Sequence, residues 1–121
     1  MKRLVSFFEI PVADFDRAVK FYQKVFNVKM KTYEDETEKM AFFPEEDGLA
    51  PGALSFSETF KPSKKGVLIS LNVENIQSAL EQIVNNGGTT VIPKTKILSE
   101  DRGYFAVFTD CEGNQIGLYE D

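Results

Sequence analysis

The chain has 121 residues, 42% hydrophobic and 27% charged, which suits one compact domain and leaves no room for two independent cores. Nineteen Asp and Glu against fourteen Lys and Arg give a net charge of −5, which disfavours nucleic acid as a partner. With no His and one Cys, the chain can form no internal disulfide and no Ser–His or Cys–His nucleophile pair, and it offers zinc at most one Cys or His ligand. Catalysis is left to carboxylates, Lys, Tyr, a hard oxygen-bound cation or a bound cofactor. No apolar run approaches the ~20 residues that cross a bilayer. Residues 1–4 lead into a strand-like pattern without an apolar leader, so the expectation is a cytoplasmic protein that does not enter membranes.

Residues 5–12 read as a strand, with Phe8, Ile10 and Val12 on one face and Phe7, Glu9 and Pro11 on the other. Asp14 is placed to cap a helix whose buried stripe is Phe15, Ala18, Val19, Tyr22 and Phe26. Strands are expected over 29–33, 39–44 and 53–58, separated by an acidic turn and by a loop from Glu45 to the Pro51-Gly52 pair. Lys61, Lys64 and Lys65 read as a solvated loop. The order then restarts. A strand over 67–73 precedes Asn75 as a cap, and a helix carries Ile76, Ala79, Leu80, Ile83 and Val84. Gly87 and Gly88 stop that helix. Strands over 89–93, 104–110 and 114–120 follow, with Lys94 and Lys96 in a loop and Asp110 to Asn114 forming the last turn.

The restart has a fixed offset. Adding 61 takes Phe8 to Ile69, Ile10 to Leu71, Val12 to Val73, Asp14 to Asn75, Phe15 to Ile76, Ala18 to Ala79, Val19 to Leu80 and Tyr22 to Ile83. Generic apolar periodicity produces some such matches. The fuller account is a duplicated β-α-β-β-β unit, about 1–60 and about 61–121, filling a single domain of residues 1–121.

Three stretches carry a resemblance to a known family. They are Phe8-Glu9-Ile10-Pro11-Val12-Ala13-Asp14 leading to Arg17-Ala18 and Phe21-Tyr22, then Leu71-Asn72-Val73-Glu74-Asn75 leading to Ala79 and Gly87-Gly88, and finally Phe108-Thr109-Asp110-Cys111-Glu112-Gly113-Asn114-Gln115-Ile116-Gly117-Leu118. In this order the chain resembles the vicinal oxygen chelate superfamily, which includes glyoxalase I, bleomycin-resistance proteins and extradiol dioxygenases. The resemblance implies an α+β fold in which two β-α-β-β-β units form a pair of mixed-sheet half-barrels around a shared pocket. It also implies a homodimer. Metal-binding members take His, Glu or Gln ligands from the first and fourth strands of each unit. Here those positions fall on Phe7, Leu68 and Gly117, and on Phe56 by the 61-residue offset, with Leu54 as the other candidate. None offers a side-chain lone pair, so no cofactor is expected. The alternative is Mg²⁺ or Mn²⁺ held by Glu9 and Glu58 with water completing the shell.

The pocket expected on this basis is lined by Phe7, Glu9, Leu54, Phe56, Leu68, Ser70, Tyr104, Gly117 and Tyr119, a largely apolar and aromatic surface for a small organic ligand. Glu9 is the candidate catalytic residue as a general base or an acceptor for a polar ligand, and the favoured structural reading makes it a rim carboxylate in a salt bridge or facing a dimer partner. Residues 99–103 read as a polar lid, with Arg102 a candidate anion contact. Cys111 reads as incidental. The function expected is ligand binding without metal, for sequestration or as an accessory subunit. The alternative is a lyase, isomerase or dioxygenase using a divalent ion or Glu9, and a purely structural dimer stands as a third reading.

Overall fold

In the computed structural model, which describes residues 4–98 and 103–121, the duplicated order is present in full. The first half contains β1 (Phe8–Pro11), α1 (Phe15–Phe26), β2 (Lys31–Glu34), β3 (Lys39–Phe42) and β4 (Gly52–Phe56). The second contains β5 (Ser70–Asn72), α2 (Ile76–Asn85), β6 (Thr89–Lys96), β7 (Tyr104–Thr109) and β8 (Gln115–Glu120). Each half makes a four-stranded mixed sheet, in the orders β1-β4-β3-β2 and β5-β8-β7-β6. The outer pairs β1–β4 and β5–β8 are parallel and the rest antiparallel. A parallel pair needs a long crossover, and here each helix with the two strands after it supplies one.

Both helices start where the caps predict. The Asp14 carboxylate accepts from Arg17 N at 3.1 Å, and the Asn75 side chain accepts from Ser78 N at 2.9 Å. These bonds satisfy amides that have no partner within the helix. Helix α1 ends at Asn27 in the left-handed region, φ 52°. After α2 the left-handed position falls on Gly87, φ 101°, and Gly88 N then donates to the Ile83 carbonyl at 2.8 Å.

One core serves both halves. Ile10, Val12, Tyr22 and Leu54 from the first pack in the same cluster as Ile76, Ile83, Phe108 and Leu118 from the second. Tyr22 lies flat on Phe26 at 5.8 Å between ring centres and meets Phe43 edge-on, the offset and T-shaped arrangements that aromatic quadrupoles favour.

The turn between β7 and β8 is locked against the β1–α1 corner. Buried Asp110 takes the Tyr22 hydroxyl at 2.6 Å on one oxygen and the amides of Glu112 and Asn114 at 2.8 and 2.9 Å on the other. The Asn114 amide donates to the Pro11 carbonyl at 2.7 Å. Glu112 accepts from Ala13 N and Asp14 N at 2.6 and 2.7 Å with one oxygen, and pairs with Arg17 Nε at 2.7 Å through the other. These bonds join the two halves end to end.

Several element bounds differ from the sequence reading. The strands expected over 5–12 and 67–73 are shorter, because Val5 and Val67 are exposed and have no ladder to join. Strand β6 is longer, running through Pro93 to Lys96, so Lys94 and Lys96 lie in a strand and not in a loop. Proline is tolerated there because β6 is an edge strand, and its pairing with β7 slips twice along its length.

Candidate functional site

Strand pairing decides which residues share a face. Cα partners across a ladder point the same way, so the sheet of the first half has a helix-packed face holding Ile10, Leu54 and Ala41, and an outer face holding Glu9, Ala53 and Phe42. In the second half, Leu71, Leu118 and Ala106 face the helix, while Ser70, Gly117 and Val107 face outward.

This register sorts the expected pocket residues. Phe7, just before β1, and Glu9 lie on the outer face as read from the sequence. Ser70, Gly117 and Tyr119 share the outer face of the second half, with Leu68 just ahead of β5. Three residues are corrected. Leu54 is fully buried on the helix-packed face and Phe56 shares that parity, packing against the core. Phe56 sits beside Phe15 in a small cleft, with the Lys39 ammonium 5.9 Å from each ring centre. Tyr104 pairs with Glu120, alternates with buried Ala106 and Phe108, and also packs against the core. The Lys94 and Lys96 ammonium groups stand 4.5 and 5.2 Å from its ring centre.

The same register moves one of the implied ligand positions. Gly117 stands opposite Ser70 as Ala53 stands opposite Glu9, so the counterpart of Gly117 is Ala53, an offset of 64 rather than 61. The four positions are then Phe7, Ala53, Leu68 and Gly117, again without a lone pair. Glu58 lies past the end of β4 in the Ser57–Phe60 turn, off the ladder that carries Glu9. Among the described residues, no three His, Cys, Asp or Glu side chains gather where they could hold a metal ion. The residues present do not fit the metal that the resemblance attaches to this fold.

What the outer face of the first half does offer is a carboxylate with a hydroxyl neighbour. Ser55, buried in β4, donates its hydroxyl to Glu9 Oε1 at 2.8 Å. Phe7 and Phe42 pack beside this pair with ring centres 6.2 Å apart. By register Met40 and Tyr33 extend the surface toward the sheet edge. The sequence pattern alone does not single out Ser55, Phe42 and Met40 for this face. In the second half the Tyr119 hydroxyl accepts from Gly103 N at 3.3 Å, and Phe105 is its cross-strand partner. The Gly117 position is small because a Cβ there would collide with the Ser70 hydroxyl.

Cys111 lies in the locked turn, half-buried. Burial first, then the neighbouring Asp110 and Glu112 carboxylates, push its thiol up to about 12, which rules it out as a nucleophile at neutral pH. The polar stretch read as a lid, with Arg102, lies outside the described residues except for Gly103.

The family model for the Glyoxalase/Bleomycin resistance protein/Dioxygenase superfamily matches residues 4–118. The chain belongs to that superfamily. A curated relative, a glyoxylase-like domain-containing protein of Didymella fabae, is 29% identical over 113 residues, covering 91% of this chain and 88% of its own length. Solved structures agree on the superfamily fold. A glyoxylase/bleomycin resistance protein/dioxygenase domain from Frankia sp. EAN1pec superposes with TM-score 0.74 at 18% identity, over 99% of this chain and 98% of that one. A glyoxalase I mutant from Zea mays gives TM-score 0.75 at 17% identity, covering 94% of this chain and 44% of that one. This chain therefore spans under half of the maize enzyme. Among the described residues no helix is long and apolar enough to cross a membrane.

Proposed function

We propose that this superfamily member binds a small organic molecule without a metal ion, working as a homodimer in a sequestering or accessory role. The observation that carries the reading is the chemistry of the four implied ligand positions. Phe7, Ala53, Leu68 and Gly117 cannot coordinate an ion through their side chains, whereas the surface around them offers aromatic rings, the Glu9 carboxylate and the hydroxyls of Ser55, Ser70 and Tyr119. Such a surface suits a flat apolar ligand with a single polar group directed at Glu9 and Ser55. The dimer is supported by apolar side chains left in solvent. Phe7, Tyr33, Leu68 and Ile92 are all more than a third exposed, and a second copy laid over them would enclose the ligand surface. A chain with one cysteine needs no oxidising compartment, which fits a cytoplasmic location.

A second reading rests on the Glu9–Ser55 pair. A carboxylate on an open sheet face, oriented by a hydroxyl, is placed to take a proton from a bound carbon acid, as a metal-free lyase or isomerase would require.

Metal analysis of untagged protein purified without chelator, followed by calorimetric titration with Mn²⁺, Mg²⁺, Zn²⁺ and Ni²⁺, tests the first reading. The expected result is no bound metal and no binding heat. Stoichiometric metal lost on Glu9→Gln would overturn it. Thermal-shift screening of aromatic ligands then reads binding to wild type and Glu9→Gln, and a product assay on the ligands that bind separates binding from Glu9-dependent turnover.

A further inference from the structure

The hydroxyl protons on the outer face of the first half are already given to carboxylates. Ser55 donates to Glu9 Oε1 at 2.8 Å, and Tyr33 donates to Asp35 Oδ2 at 2.9 Å. A hydroxyl has one proton and two lone pairs, and a carboxylate has lone pairs alone. Each of these groups therefore meets an incoming molecule as an acceptor. Around them lie Phe7, Phe42, Met40 and Ala53, whose side chains carry no N–H or O–H. Lys31 shares the row of Glu9, Ala53 and Phe42, but it lies on β2, three strands from Glu9 and roughly 14 Å away at ~4.8 Å per strand.

The corresponding face of the second half has a different hydrogen-bonding sense. There the Tyr119 hydroxyl accepts from Gly103 N at 3.3 Å, and its own proton is left to give. Asn72 is the cross-strand partner of Tyr119, and its amide donates as well as accepts. The duplication has thus produced two like-placed faces, of which one presents acceptors and the other keeps donors. On the first face the acceptor is also held in place. Ser55 is buried and Glu9 is exposed, so the hydroxyl orients the carboxylate from the sheet side and a ligand meets it from solvent. An acceptor fixed in advance loses less freedom on binding.

We propose that the Glu9–Ser55 surface selects a flat aromatic molecule through an N–H or O–H donor and turns away groups that only accept. This rests on the ligand-binding reading of that face and names the chemistry it takes. The ring lies against Phe7 and Phe42, and the donor is directed at the Glu9 carboxylate. A carbonyl placed there would set its lone pairs against those of Glu9 and Ser55. It would give up its bonds to water without replacement, which is the costly half of the hydrogen-bond exchange.

Amide-resolved NMR of the labelled full chain, titrated separately with indole, 1-methylindole and acetophenone, tests this. Indole is expected to shift the amides of Glu9, Phe42 and Ser55 saturably, about three- to tenfold more tightly than 1-methylindole, the difference that one neutral hydrogen bond makes. Acetophenone, which only accepts, should shift Phe105 and Tyr119 and leave Glu9 and Ser55 unmoved. Glu9→Gln puts an amide that also donates in place of the carboxylate, and it should admit acetophenone to the first half. Tyr119→Phe should weaken acetophenone on the second half and leave indole beside Glu9 unchanged. The wild-type comparison needs neither variant to fold. Equal affinity of indole and 1-methylindole beside Glu9, or acetophenone binding there in wild type, would overturn the inference and leave the ligand surface standing. No saturable shift on either outer face would remove the ligand surface, and the inference with it.

Discussion

Glu112 does more than its salt bridge suggests. Its side chain is fully buried while that of Arg17 is 55% exposed, so solvent screens the ion pair from one side and its coupling is modest. The larger part is the pair of backbone amides, Ala13 N and Asp14 N, that its carboxylate satisfies at the start of α1. Glu112→Ala removes the acceptor for both and is expected to cost about 3 kcal/mol. Arg17→Ala leaves the amides satisfied and should cost about 1 kcal/mol or less. Chemical denaturation of both variants checks the order, and equal losses would show that the ion pair dominates. Cys111, in the same turn, gives a kinetic prediction. With its thiol held up to about 12, it stays protonated at pH 8 and should resist iodoacetamide until the chain is unfolded in denaturant, after which it reacts at the rate of a free thiol. The linkage runs the same way. Stability held by this protonated thiol is complete below the ordinary thiol range of ~8.5 and declines as pH rises toward 12.

At the level of elements, the start of α2 depends on a group at the end of β8, an inner strand of its own sheet. Glu120 is held below the usual carboxylate range chiefly by the Ile76 amide, then by the Lys94 ammonium. A depressed carboxylate stabilises the fold at pH values above its unfolded pKa of ~4.3, and that contribution is lost as pH falls through the folded value. Asp35 is depressed likewise by the Thr37 amide, the Tyr33 hydroxyl and the Glu38 amide. Unfolding midpoints should therefore drop on acidification below about pH 4.5. Glu120→Gln should flatten that acid limb and speed amide exchange at Ile76, and an unchanged acid limb would refute the assignment. What could be read along the chain follows the same division between local and distant. Caps and helices were legible because Asp14 and Asn75 act within three residues, and β1 was legible because its faces alternate. Strand β4 was not. Its first four residues, Gly52 to Ser55, are buried on both faces, so no alternation marks its orientation, and its parallel partner lies some forty residues upstream. The offset of 61 holds through β1 and α1 and becomes 64 by β8, which is why a constant offset puts Leu54 and Phe56 on the wrong face. The role of the Asp110–Asn114 turn was hidden for a related reason, since its partners lie up to 103 residues away.

At the scale of the whole molecule, the duplication raises the question of whether either half is a folding unit. A β-α-β-β-β unit of ~60 residues could bury only about 60% of its unfolded surface and would be marginal alone. Here each half also lacks something specific. Without the second half, Tyr22 loses the carboxylate it donates to, the Pro11 carbonyl loses the Asn114 amide, and two amides at the head of α1 lose Glu112. The Tyr22 hydroxyl is fully buried, and left unpaired it alone costs ~1–3 kcal/mol, a large share of the stability of a small domain. The segment joining the halves contributes little in comparison, since Lys61, Lys64 and Lys65 are exposed and Val67 stands 87% in solvent. Peptides covering residues 1–60 and 61–121 are accordingly expected to show little helix by circular dichroism when separate. They should regain it on equimolar mixing, with a midpoint that depends on concentration. Mixing with the Glu112→Ala second half should require more peptide for the same signal. A first half that folds cooperatively alone would show that the shared core and the locked turn are dispensable, and that the duplication joined two domains rather than completing one.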